Sequence, residues 1–401
     1  MMPENKGLLD FNTLKKFSVF LAFTLFLGLN AFANKALIQN DTLTEAHSTT
    51  VSAQHEGHTA APHHEEEAFN PGKMIIEHVK DAHDWHILDY TSNGVKHPVS
   101  VPLPVIIYDN GLHVFMSSKF EHGHATVESK GQYYKLHEGH IYKTDAAGII
   151  HADAKGKVSN VAPMDLSMTK NVLSLLIGSC IICLILFSVA KRYKNSSGAP
   201  KGIQSLLEPI IIFLRDEVIK PSVGHHYAKF LPLLLSIFFF IFINNLMGLI
   251  PIFPFGANLT GNIAVTMVLA IIVFIVVNVS GNKHYWKHIF MPDVPKALWI
   301  LLIPIEILGV VLKPFVLMLR LFANITAGHI IILGFFSLIF IFGQKNIVAG
   351  YGSAVFSVAF TLFMSVLELL VAFLQAYVFT LLASLYIGSA TEDHHHAEEH
   401  H

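Results

Sequence analysis

Arg320, Asn324 and His329 stand in LKPFVLMLRLFANITAGH (312–329), beside Lys313 and inside an apolar stretch of more than forty residues. A guanidinium near a bilayer midplane costs roughly 2.5–3.5 kcal/mol on insertion scales, and about 10 kcal/mol or more by other accounts. Arg320 cannot avoid that cost by losing its proton, because the pKa of arginine lies above about 12. Taken as a helix, Glu306, Lys313 and Arg320 recur every seven residues. Seven residues advance ~700°, so the three share one face and drift ~20° per step. Asn324 lies ~40° from Arg320 on the same face, and His329 falls on the opposite side, ~13 Å further along the axis. A second apolar stretch repeats the spacing with Thr361, Glu368 and Gln375, and Ser365 sits beside Glu368.

Two chemistries fit these polar seams. One is charge pairing, Glu306 with Lys313 and Glu368 with Arg320, which marks helix packing as well as function. The other is an ion path, the default for ionisable groups within a membrane. A Glu–His pair there suits proton relay, because imidazole titrates near neutrality. For any single His or Gln, interhelical hydrogen bonding is an equally good account.

The elements that carry these residues are membrane helices. The 401-residue chain is 52% hydrophobic and only 14% charged, against about 25% charged in soluble domains. Its mean hydropathy is +0.50. A formal net charge of −2 argues against nucleic acid as a partner. Cys180 and Cys183 spell CxxC within an apolar span, where no base is at hand to form a thiolate; they read as small apolar residues.

Residues 1–33 read as a secretory signal, with Lys15 and Lys16 before the apolar run Phe17 to Leu29 and then AFA as a cleavage site. Residues 34–70 read as a disordered His-rich linker in which His55, His58, His63 and His64 bind metal loosely at most. Residues 71–160 read as an exported β-rich extension: Asp109-Asn110-Gly111 separates two β-rich runs, and GQYYKLHEGHIYKTD repeats the strand–turn–strand style. Spans follow near 171–189, 230–250 and 262–280, with seven Lys/Arg in the loop 190–229 and Lys283 and Lys287 after the third span. Basic loops stay cytoplasmic, which sets the orientation. Within the first loop, SLLEPIIIFLRDEVI reads as an amphipathic stretch lying at the interface. Residues 297–342 and 351–388 are each too long for one upright span. Either they hold extra spans with tight turns or each is one tilted helix, with Pro304 and Pro314 able to kink the first. The tail TEDHHHAEEHH, 391–401, carries no site.

RLFANITAGH and LELLVAFLQAYVFTLLASLYI resemble the two signature segments of subunit a of the rotary ATP synthase. NNLMGLIP (244–251) and EILGVVLKP (306–314) resemble its second-span motif and the stretch before its arginine. The resemblance covers roughly 165–390 and not the exported part. It implies an all-α polytopic membrane protein of about five membrane helices, the last two long and strongly tilted, with the β-rich N-terminal region added. It implies a bacterial inner-membrane stator subunit with a cytoplasmic C-terminus. The expected partners are a ring of c subunits, subunit b of the peripheral stalk, the rest of the complex and lipid, with no cofactor, no metal and no ATP chemistry on this chain. Arg320 matches the essential arginine facing a ring carboxylate. Asn324 and Gln375 match its polar partners. His329 and Glu368 match a proton-access pair, in the reverse order from many bacterial members. Glu306 and Asn245 are further half-channel candidates.

Two other classes compete. A stand-alone channel or secondary transporter predicts transport by this chain alone. A membrane di-metal enzyme would use His225, His226, His284 and His288, with HYWKH as an HxxxH pair, but it leaves Arg320 without a role.

Overall fold

The computed structural model describes residues 71–72, 75, 80–92, 95–153, 158–195, 202–250, 255–292 and 294–392. The expected signal, the His-rich linker and the tail beyond 392 lie outside the described residues. The chain divides into two compact units. One holds the β-rich part up to Val172 together with His329–Met364; the other holds Leu173–Gly328 and the chain from Ser365.

In the first unit, β1 (Asp84–Ser92) pairs antiparallel with β2 (Val95–Pro102). Strand β3 (Pro104–Tyr108) lies between β4 (Leu112–Met116) and β8 (Met164–Asp165). A meander of β5 (Thr126–Ser129), β6 (Gln132–His137) and β7 (His140–Thr144) completes the strands. The hairpin expected at Asp109-Asn110-Gly111 is present: Asn110 takes φ 50° and Gly111 φ 142°, the left-handed region that Asn and Gly enter most easily. Alternation along β3 and β4 turns Val105, Ile107 and Phe115 inward, where they meet Phe120, Val127, Tyr134 and Ile141. Asp109 anchors this core from the turn, accepting from Tyr134 Oη (3.2 Å) and Lys143 Nζ (2.9 Å). The last strand falls past residue 160, and the chain beyond it stays bonded to the module: Leu166 N donates to Ile106 O and Met168 N to Pro104 O.

The first long helix, α1 (Lys170–Asn195), begins against this module. Lys170 N donates to Ala82 O (2.9 Å) and Asn171 N to Asp81 Oδ1 (3.1 Å), so a carbonyl and a carboxylate satisfy two free N–H groups at the positive end of the helix. Beside it, His83 Nε2 lies 2.7 Å from Asp165 Oδ2. Burial opposes the charged imidazole, but the bond and charge of Asp165, then Asp81 and Asp84, outweigh it and raise His83 above 6.5. Burial likewise opposes the Asp165 carboxylate, yet the His83 and Ser167 bonds hold its pKa below 3.8.

In the second unit, α2 (Ile203–Phe213), a π-helical turn (Leu214–Ile219) and α3 (Lys220–Val223) lead to α4 (Tyr227–Leu249). The stretch expected to be amphipathic buries Leu207, Ile211, Leu214, Val218 and Ile219. Gly178 of α1 permits a close approach to α4, since a Cβ there would overlap the Asn244 side-chain oxygen. Helix α5 (Ile263–Ser280) is capped by Asn262 and α6 (Lys283–Phe290) by Asn282, each through its side-chain oxygen. Asn282 also holds the segment 390–392, donating to Ala390 O and Glu392 O.

The two long apolar runs form continuous helices, α7 (Trp299–Lys345, 47 residues) and α8 (Ile347–Thr391, 45 residues), with Pro304 and Pro314 inside the first. At 1.5 Å per residue these are ~70 Å and ~68 Å long. Asn346 alone separates them, accepting from Val348 N through its side chain. Gly343 and Gly350 make the tight turn possible: a Cβ on Gly350 would stand 2.7 Å from Gly343 Cα. Among the described residues, five helical runs are long and apolar enough to cross a membrane: Lys170–Lys191, Ile203–Leu249, Ile263–Ser280, Trp299–Gln344 and Ile347–Thr391.

Candidate functional site

The face of α7 that carries Arg320 is open. Leu317, Met318, Leu321 and Ile325 pack inward, while Val316, Leu319, Arg320, Ala323, Asn324 and Ala327 are exposed. The expected sharing of one face by Arg320 and Asn324 therefore holds. Among the described residues neither Arg320 nor Lys313 forms an ion pair, so the charge-pairing account of these seams is not what the fold adopts. Lys313 instead places its ammonium 5.4 Å from the centre of the Tyr386 ring on α8, a cation–π contact. The Arg320 charge bears on the same phenol. Glu306, seven residues before Lys313, is half-buried and bears on Tyr285 of α6, whose pKa burial and the Glu306 charge raise.

The polar residues of α8 face the other way. Thr361, Glu368 and Gln375 are buried, while Leu362, Val366, Leu369 and Leu370 between them are exposed. Glu368 packs on the backbone of α7: a Cβ at Gly328 would stand 2.5 Å from Glu368 Oε1. That oxygen is buried and, among the described residues, has no hydrogen-bond partner. A buried polar atom left in that state is costly. One turn further along α8, Asn245 Nδ2 donates to Ala372 O (3.3 Å), and Asn245 Oδ1 accepts from Thr260 Oγ1 (2.5 Å). Asn245 of α4 thus meets α8 one turn beyond Glu368, and Gln375, three residues past Ala372, is buried as well. His329 is half-buried in the unit of the β module, where the Lys170 charge bears on it. Glu368 and His329 fall in different compact units.

The sequence reading missed part of this region. In the uncharged turn before α5, Asn258, Thr260 and Asn262 are buried, and Thr326 Oγ1 of α7 donates to Gly261 O (3.5 Å). The signal was there: GANLTGN is short, uncharged and dense in amides and hydroxyls, which suits a segment that folds inward to satisfy its backbone. Tyr386 went unnoticed because nothing in the sequence pairs it with Lys313. Among the described residues no cluster of three or more His, Cys, Asp or Glu is arranged to hold a metal, and Cys180 and Cys183 are free thiols.

Residues 172–388 match the family model described as ATP synthase A chain, and residues 74–166 match a domain of unknown function, DUF8433. The chain is 42% identical over 270 residues to ATP synthase subunit a of Chloroherpeton thalassium, covering 66% of this chain and 77% of that one. It is 39% identical over 313 residues to ATP synthase subunit a 2 of Prosthecochloris aestuarii, covering 74% of this chain and 93% of that one. With subunit a 2 of Chlorobaculum tepidum it shares 44% identity over 247 residues.

Proposed function

The chain belongs to the ATP synthase subunit a family, and on that premise we propose that Arg320 couples proton transfer to rotation of a ring of c subunits. The observation that carries the reading is the open face of α7, on which Arg320 and Asn324 stand among small and apolar side chains, with no ion pair to Arg320 among the described residues. A ring carboxylate is costly to expose to lipid in its charged form, so it travels protonated. Opposite Arg320 the charged form becomes favourable and the proton leaves into one half-channel. After the ring steps on, a proton from the second half-channel restores the neutral form. The fixed charge of Arg320 also stops protons from passing directly between the two. Each charge that crosses is driven by ~2.3 kcal/mol per 100 mV.

Glu368, with Asn245 and Gln375, forms the inner lining of one half-channel, and His329 also belongs to the proton path. Asn324 positions the ring carboxyl beside Arg320, and Glu306 lies toward the α6 end of the path. Helices of ~70 Å fit a hydrocarbon core of ~30 Å only if they lie about 60–65° from its normal, far from the usual ~20°. In that posture both helices follow the ring's perimeter. We place the β module outside the cytoplasm and the chain end inside, with subunit b and the rest of the complex as partners in the bacterial inner membrane. Arg320→Ala in the assembled enzyme is expected to abolish ATP-driven proton pumping. Pumping that persists, measured by quenching of a pH-sensitive dye in vesicles, sinks the reading.

A further inference from the structure

The β module has two outer faces of opposite character. On the sheet of β5, β6 and β7, the positions turned away from Val127, Tyr134 and Ile141 of the core include Glu128, Tyr133, Lys135 and Thr144. That is the polar outer face an antiparallel sheet presents to water. The sheet of β4, β3 and β8 inverts the pattern. Strand β4 turns His113 inward, where it lies 3.0 Å from Ser129 Oγ and from Asp109 O, and exposes Leu112, Val114 and Met116. Opposite them on β3 stand Ile106, half-buried, and Tyr108, exposed. In MDLSM (164–168), Asp165 and Ser167 turn inward to bonds with His83 and with Ile106 N, while Met164 and Leu166 are exposed. No charged side chain stands at these outward positions, and Val114 at 59% and Met164 at 53% exposure lie open across the whole width of the sheet. An uncharged apolar face spread over three strands marks a contact surface.

Two lengths decide what covers it. Met168 N is still bonded to Pro104 O (3.0 Å), and α1 begins two residues later, at most ~7 Å away in an extended chain. The apolar span of α1, Lys170–Lys191, has 22 residues, ~33 Å of helix for a hydrocarbon core of ~30 Å. Almost nothing of the helix is left over, so Lys170 stands at the lipid surface and the sheet begins in the headgroup layer. We propose that the outer face of β4, β3 and β8 rests on the lipid surface that α1 crosses. Leu112, Val114, Met116 and Met164 then sit among the headgroups and uppermost acyl carbons, with Tyr108 as an amphipathic side chain suited to that depth. Lys130, whose Nζ donates to Leu112 O (2.7 Å), brings an ammonium to the edge of the face, as lipid phosphates favour. The contact is independent of the proton path and needs only that α1 spans the membrane.

The test uses the assembled ATP synthase in nanodiscs of phosphatidylcholine and phosphatidylglycerol, whose two faces are both open to solutes. Cys180→Ser and Cys183→Ser remove the native thiols, and a bimane probe is attached to one introduced cysteine, with the unsubstituted background as blank. The probe on Val114→Cys is expected to be quenched severalfold more than that on Glu128→Cys by lipid bearing a doxyl group near the top of its acyl chain. Aqueous iodide is expected to quench it severalfold less. Equal quenching at the two positions overturns the proposal. A probe on Val114→Cys shielded from doxyl lipid and iodide alike shows protein on the face, a further subunit or a second copy, and overturns it as well. If Val114→Cys does not assemble, Leu112→Cys on the same face is judged by the same criteria.

Discussion

Gly328 is the residue on which the inner half of the site depends most directly. It has no side chain, and Glu368 Oε1 occupies the space where one would be. Gly328→Ala is expected to force the carboxyl aside, lowering proton flux in the assembled enzyme and costing about 1–3 kcal/mol from overpacking. Thermal unfolding in detergent and dye-quench assays measure the two effects separately, and wild-type flux in this variant would show that Glu368 need not stand there. The polar residues of α7 and α8 were legible from their sevenfold spacing, since buried or open placement follows helical phase. What spacing could not reveal was the partner of each. Glu368 meets Gly328 and Lys313 meets Tyr386, contacts between positions forty or more residues apart that no local period encodes.

At the level of elements, turn chemistry and hydropathy made the hairpins and the first three spans readable. The long runs were ambiguous because a proline in an apolar stretch marks a break in water and is tolerated in a membrane helix; Pro304 and Pro314 are of the second kind. The junction between β8 and α1 gives a pH expectation. His83 is raised above 6.5, so its contribution is full below about 6.5 and fades as pH rises through its higher folded value. Asp165 is lowered below 3.8, so its contribution is full above about 3.8 and fades as pH falls through its lower folded value. The pair therefore secures the start of α1 best between those limits. Hydrogen exchange on the complex is expected to show the Lys170 and Asn171 amides opening more readily, after correction for intrinsic rates, as pH climbs from 6 toward 9. Protection that does not change over that range contradicts the assignment.

For the whole molecule, the placement of its ends is the property that labelling can test. A cysteine in place of Lys119 in the β module is expected to react with a membrane-impermeant maleimide in intact cells, and one in place of Lys287 on α6 only after permeabilisation. Reaction at Lys287→Cys in intact cells would invert the orientation. The sequence conveys the division between β module and membrane helices through composition alone, because polar alternating runs and unbroken apolar runs cannot share one solvent. The open face of α7 carries a mechanical consequence. Ala323 and Ala327, both exposed, lie one turn and two turns beyond Arg320, so on that side of the guanidinium no long side chain stands between the charge and a surface laid against the helix. On the proposed reading, a ring carboxyl that passes this face meets a fixed charge bordered by small side chains, so charge rather than interlocking shape sets where each subunit rests.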